Sequence, residues 1–237
     1  ADNVTTYPSD FKTSTFEDEI YDPLEPLNRV IFSFNNTVDK MILEPTAKGY
    51  RKLPSPIQSS INNFLSNLKM PIIILNQLLQ GQVPNAVEST GRFFINSTVG
   101  LAGIVDVATK IGLEEKDEDF GQTFATWGVG DGFYIVLPIF GPSNLRDAVG
   151  TALTYTLDPV NAYLVNEGEA WAVPLRATVH AVDYRSKIID EVNALRNNSV
   201  DFYAAVRSSY NQNRKAAIKN VDKSELTPAP IISVEFE

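Results

Sequence analysis

Along most of this chain apolar side chains return every three or four residues, a period that predicts helices. Leu27, Val30, Ile31, Phe34, Val38, Met41 and Ile42 form one stripe, with Asn28, Arg29, Asn35, Asn36, Asp39 and Lys40 on the other arcs. That helix is expected to end near Pro45. Ile57, Ile61, Phe64, Leu65 and Leu68 make a second stripe, and residues 72–79 are apolar nearly all round up to Gly81, as in a central helix. Val87, Phe93, Phe94 and Ile95 mark a fourth helix beginning near Pro84. Farther on, Leu175, Val179, Val182, Ile188, Ile189 and Val192 outline one long helix over 174–195. Tyr203, Val206 and Tyr210 outline another over 200–219, with Asn197-Asn198-Ser199 as turn and cap between them.

Helix starts are marked as well. Asp22-Pro23-Leu24-Glu25 predicts an acidic cap, a proline in the first turn and a carboxylate that reaches back to the free amide. Ser55-Pro56-Ile57-Gln58 repeats the pattern with a hydroxyl, and Asp158-Pro159 and Asn166-Glu167-Gly168-Glu169 offer two further starts. Together these signals favour an all-α fold.

Segment 120–142 breaks the period. Its glycines 121, 128, 130, 132 and 141 argue against a helix, and Trp127, Phe133, Tyr134 and Phe140 are too apolar for an ordinary solvated loop. It reads as a hairpin-like apolar excursion. Bendable corners around bulky side chains are what a movable barrier needs. The expected gate residues are Trp127, Gly128, Gly130, Phe133, Tyr134, Leu137 and Phe140.

The ends differ from this body. Residues 1–21 are polar and acidic and read as a linker, 22–220 as one helical domain, and 221–237 as a tail. The first residues, Ala-Asp-Asn-Val-Thr-Thr-Tyr-Pro, have neither a basic start nor an apolar run and do not read as a signal peptide. Of the net charge of -9, residues 1–22 supply -5 and the run 114–119 supplies -4, leaving a neutral body. A phosphate-backbone binder needs clustered cations, so no nucleic acid is expected. No stretch approaches the ~18 consecutive apolar residues of a spanning helix.

Reactive chemistry is scarce. Without cysteine there is no thiolate metal site, disulfide or cysteine nucleophile. The single histidine, His180, would have to serve any triad, yet there is no G-x-S-x-G elbow and its helix neighbours Arg176 and Tyr184 offer no acid. The glycines of 128–132 lack the spacing of a nucleotide loop, and the acids of 114–119 lack the calcium-loop pattern. Phe93-Phe94 reads as core rather than pocket. Neither catalytic residues nor a cofactor or metal is expected.

Against that background, several strings fall in a telling order. They are Tyr21-Asp22-Pro23-Leu24-Glu25-Pro26-Leu27-Asn28-Arg29; Phe32-Ser33-Phe34-Asn35; Asn76-Gln77-Leu78-Leu79-Gln80-Gly81; and Arg92-Phe93-Phe94-Ile95-Asn96-Ser97-Thr98-Val99-Gly100. The densest runs from Phe120-Gly121-Gln122-Thr123 through Trp127-Gly128-Val129-Gly130 and Leu137-Pro138 to Gly141-Pro142-Ser143 and Arg146-Asp147. In combination they resemble the MlaA/VacJ family over roughly 21–215.

The resemblance implies an all-helical ring with a central amphipathic channel, lying in the inner leaflet of the outer membrane on its periplasmic side. It implies removal of mislocalised phospholipid from the outer leaflet to maintain lipid asymmetry, contact with a trimeric porin, and delivery to a soluble periplasmic lipid carrier. On it, Phe32, Phe34, Asn35, Arg51 and Arg92 are placed on the lipid path or the interface of the first helix. It also implies acylation of an N-terminal cysteine, which this sequence does not contain: either the sequence is a truncated or altered form, or the amphipathic surface alone holds the membrane. A purely structural envelope protein, stabilising porin or membrane without carrying lipid, is the alternative.

Overall fold

The computed structural model describes residues 20–220; the tail at 221–237 and the linker through residue 19 lie outside the described residues. Within them the chain is helical apart from one two-stranded antiparallel hairpin. No helix there is long and apolar enough to cross a membrane.

Helix α1 (Glu25–Val38) runs through a π-helical turn, Asp39–Leu43, straight into α2 (Glu44–Tyr50). The expected stop near Pro45 therefore does not occur. Proline lacks an amide hydrogen and its ring crowds the preceding turn, and the wider π turn lets the helix absorb both. Helix α3 (Ser55–Leu79) follows, ~37 Å long at 1.5 Å per residue. Gly81, at φ +74°, turns the chain into α4 (Val83–Thr98), which packs along α3. After the short α5 (Val107–Lys110) come α6 (Phe120–Thr126), β1 (Tyr134–Leu137) and β2 (Gly141–Asn144). The chain ends in α7 (Leu145–Leu157), α8 (Pro159–Asn166), α9 (Ala172–Lys187), α10 (Ile189–Asn198) and α11 (Phe202–Ile218).

Several expected boundaries move. Asp22 does not cap α1, which begins after Leu24 with Pro26 in its first turn. Its carboxylate instead accepts from Asn28 at 2.8 Å and from Arg207 at 2.7 Å. Ser55 is no cap either, since Pro54 holds that position. Asn166-Glu167-Gly168-Glu169 closes a helix rather than opening one, and the helix over 174–195 breaks at Ile188. Asp201, not Ser199, caps α11 by accepting from the Ala204 amide. Asp158 caps α8 as expected, accepting from the Val160 and Asn161 amides.

Segment 120–142 is only partly a hairpin. Asp119 accepts from the Gln122 amide at 2.9 Å and opens α6, despite Gly121. A β-carbon at Gly121 would run into Arg214 and Asp147, and one at Gly150 would lie 2.5 Å from the Gly121 nitrogen. These glycines let α6 and α7 touch.

The hairpin is fixed to α1 by two amide side chains. Asn28 donates to the Tyr134 carbonyl at 3.1 Å and accepts from the Val136 amide at 2.9 Å. Asn35 donates to the Leu137 carbonyl at 2.9 Å and accepts from the Ile139 amide at 2.8 Å. A carboxamide presents the same donor and acceptor as a peptide group, so the two stand in for a strand along the edge of β1. Behind them Tyr134, Val136 and Tyr203 form a small core with Ile20, Ile31, Phe32 and Tyr210.

Contacts between elements close on themselves. The continuous α1–α2 rod meets α9; α9 meets α3; α3 meets α6; α6 meets α7; α7 meets the hairpin; and β1 returns to α1. Around this circuit many apolar side chains of the stripes are exposed. Val30 is 67% exposed, Val87 66% and Tyr163 63%. Much of what is buried is polar: the largest fully buried side chains include Gln77, Asn28, Asn76, Thr123 and Ser89 beside Ile73. Such an inversion suits a body whose rim meets hydrocarbon and whose interior meets water.

Candidate functional site

Two adjoining cavities lie inside the circuit. The larger, about 400 Å³, is lined from α3, α7, α9, α11, the hairpin and residues 117–119. The smaller, about 190 Å³, lies among α3, α7, α8 and α9, with Leu65, Tyr155, Val173 and Ala177 giving it an apolar wall. Lys69, Ile72, Thr154 and His180 line both and form the neck between them.

Helical spacing brings these groups together. Lys69 and Ile72 are three apart on α3, Thr151 and Thr154 three apart on α7, and Val173, Ala177 and His180 follow one face of α9. In the larger cavity Asp117, Glu118, Asp119 and Asp147 outnumber the permanent cations Lys69 and Arg214. Arg214 is fully committed. It donates to Asp119 at 2.7 Å from each of two nitrogens and to Asp147 at 2.9 Å, while Tyr210 donates to Asp147 at 2.6 Å. Burial alone would raise the pKa of Asp119, but Arg214 outweighs it and holds the carboxyl below its usual range. Glu118, which accepts from Gln80, Gln82 and Gln122, is pushed up by burial.

Lys69 is more loosely held, 3.3 and 3.5 Å from the two oxygens of Asp117. His180 lines both cavities and is itself exposed, with the neighbouring helices partly desolvating its ring. That desolvation, with Lys69 close by, pulls its pKa below the ordinary histidine value and favours the neutral ring. No group of carboxylates and imidazoles among the described residues is arranged to hold a metal ion.

The residues singled out from the sequence lie elsewhere. Phe32 packs edge-on against Tyr203, ring centroids 5.4 Å apart, and Phe34 points outward. Asn35 holds the hairpin. Arg51 pairs with Asp190 at 3.0 Å on the surface. Arg92, 2% exposed, ties α4 to Asp106, Thr109 and the Leu113 carbonyl. None of these five lines either cavity. Of the segment 120–142, Tyr134 is core, and Trp127 is exposed while its indole donates to the Leu79 carbonyl at 3.0 Å. Gly128 and Gly130 are exposed in the loop between α6 and the hairpin, Phe133 and Leu137 are half-buried, and Phe140 is exposed at the turn. Phe140 meets Tyr155 edge-on, centroids 5.8 Å apart, so the turn rests on a residue of the smaller cavity.

The fold has known counterparts. The profile of the MlaA lipoprotein family matches residues 20–217. The chain is 36% identical over 203 residues to an uncharacterised protein of Rickettsia prowazekii, covering 85% of this chain and 79% of that one. It is 34% identical over 220 residues to the intermembrane phospholipid transport system lipoprotein MlaA of Haemophilus influenzae, covering 89% and 86%. A solved structure, from work on the structural basis for maintenance of bacterial outer membrane lipid asymmetry, matches with a TM-score of 0.74 at 35% identity. It covers 83% of this chain and 98% of that one. With matches of this extent in both sequence and fold, the chain belongs to the MlaA lipoprotein family.

Proposed function

We propose that this protein is the outer-membrane component of a phospholipid transport system, and that it takes lipid through the passage enclosed by its helices. It lies on the periplasmic side, its apolar rim in the inner leaflet. There it withdraws mislocalised phospholipid from the outer leaflet beside a trimeric porin and hands it to a soluble periplasmic carrier. The Haemophilus relative is named for intermembrane phospholipid transport, which supports the class of cargo.

The observation that carries the reading is the inversion of polarity. Outward stripes such as Val30 and Val87 need an apolar surround, and the cavities offer both carboxylates and an apolar wall. A two-tailed lipid with a charged head needs both surfaces at once. Nothing in this path needs to break a bond, so the lipid leaves intact. The turn at Phe140 is the movable part of the barrier.

The test is lipid extraction and native mass spectrometry of the full chain purified in mild detergent. Intact phospholipid in near-stoichiometric amount is expected. Lipid-free protein would favour the structural envelope reading, and recovery of lysophospholipid and fatty acid would favour a hydrolase.

A further inference from the structure

The charges at the neck are matched to a particular kind of lipid head. Arg214 is held by two carboxylates, and Arg176 by Asp158 at 2.7 Å and Asn161 at 3.1 Å. Lys69 alone among these cations sits in a long, half-open pair, with Asp117. Lys69 also lines both cavities, whereas Asp117 lines only the larger. A group passing between the cavities therefore meets the ammonium of Lys69 at the neck and the carboxylate of Asp117 on the acidic side.

Building on the transport reading, we infer that the Lys69–Asp117 pair opens around the headgroup in transit and selects zwitterionic, amine-bearing phospholipid over anionic phospholipid. The phosphodiester replaces Asp117 on Lys69, with the His180 ring beside it. The headgroup ammonium then replaces Lys69 on Asp117. One ion pair becomes two and the charge of the cavity is unchanged. An anionic head, as in phosphatidylglycerol, leaves Asp117 without a cation next to Glu118, Asp119 and Asp147, where like charges repel.

The full chain in dodecyl maltoside is incubated with mixed micelles holding equal phosphatidylethanolamine and phosphatidylglycerol of the same acyl chains, and retained lipid is quantified by mass spectrometry. Wild type is expected to retain phosphatidylethanolamine over phosphatidylglycerol by about fivefold, the worth of one close ion pair in water. Asp117→Asn should bring the ratio near unity, while Lys69→Gln lowers retention of both lipids. The exchange Lys69→Asp with Asp117→Lys should recover the preference, since a reversed pair still matches a zwitterion; Lys110→Gln, a charge loss on the surface, should change nothing. Melting temperature, followed in parallel, separates lost binding from lost fold. A wild-type ratio near unity, a preference for phosphatidylglycerol, or an unchanged ratio in Asp117→Asn overturns the inference and leaves transport standing. A wild type that retains neither lipid overturns both.

Discussion

Asn28 and Asn35 stand two turns apart on one face of α1, and each exchanges a pair of hydrogen bonds with the backbone of the hairpin. Helical repeat and strand rise come into register because seven residues of helix advance ~10 Å, about three residues of strand. Replacing the buried Asn28 with Ala leaves the Val136 amide and the Tyr134 carbonyl unpaired and removes a donor from Asp22. The expected cost is about 2–3 kcal/mol. Asn35→Ala, half-buried, should cost about 1 kcal/mol. Urea denaturation in detergent checks both, and equal small effects would show that the hairpin is held by packing alone.

The contact between α6 and α7 depends on two small residues. Gly150→Ala places a methyl 2.5 Å from the Gly121 nitrogen, where backbone must move. A loss of about 3 kcal/mol or more is expected, with poor recovery of folded protein. Gly49→Ala, where nothing lies within 4 Å, is the matched control and should be neutral or slightly stabilising.

Acid should weaken the joint between α4 and α5. Burial pushes the Asp106 pKa up, but hydrogen bonds from Thr109, Asn96 and Arg92 prevail and bring it to about 2. Because the folded value lies below the ordinary 3.8, Asp106 contributes stability that is present above about pH 4 and fades as pH falls toward 2. The amount is about 2 kcal/mol. In Asp106→Asn the protein should be less stable at pH 7 and its acid limb shallower; an identical acid limb would remove Asp106 from the account.

The turn of the hairpin separates transport from stability. Phe140 is 61% exposed and its main partner is Tyr155. Phe140→Ala should shift stability by less than about 1 kcal/mol. It should also accelerate release of bound phospholipid to acceptor vesicles. Unchanged release with unchanged stability would make the turn a static part of the wall.

The sequence pattern located α1, α4 and α11 well, because an apolar stripe needs only local period; it split α3 in two, although Pro71 lies inside one continuous helix, and it ran α9 and α10 together. It could not say what the stripe meets. Val30, Phe34 and Met41 satisfy the same period whether they face a protein core or hydrocarbon, and here they are exposed. The π turn escaped because Asp39–Leu43 has nothing in composition to distinguish it, and α6 escaped because Gly121 was weighed as a breaker when it is a point of close approach. Asp22 had the spacing of a cap but found Arg207 instead. The neck was hidden for a similar reason: Lys69, Thr154 and His180 sit on three helices far apart in sequence, and nothing local marks them as neighbours. Phe32, Asn35 and Arg92, placed by family likeness on the lipid path or the interface of the first helix, contact Tyr203, the hairpin and Asp106.

The clasp between Asp22 and Arg207 joins groups 185 residues apart. A ribosome adding about 5–20 residues per second needs about 10–40 s to travel that distance. Throughout this interval α1 exists without α11, and the β1 edge that Asn28 will hold is itself absent for most of it. The nascent chain is thus an open string of amphipathic helices, each with one face made for a solvent it has not yet reached. Closure waits for α11, so a chain interrupted anywhere before Arg207 is not a smaller ring but an unclosed one.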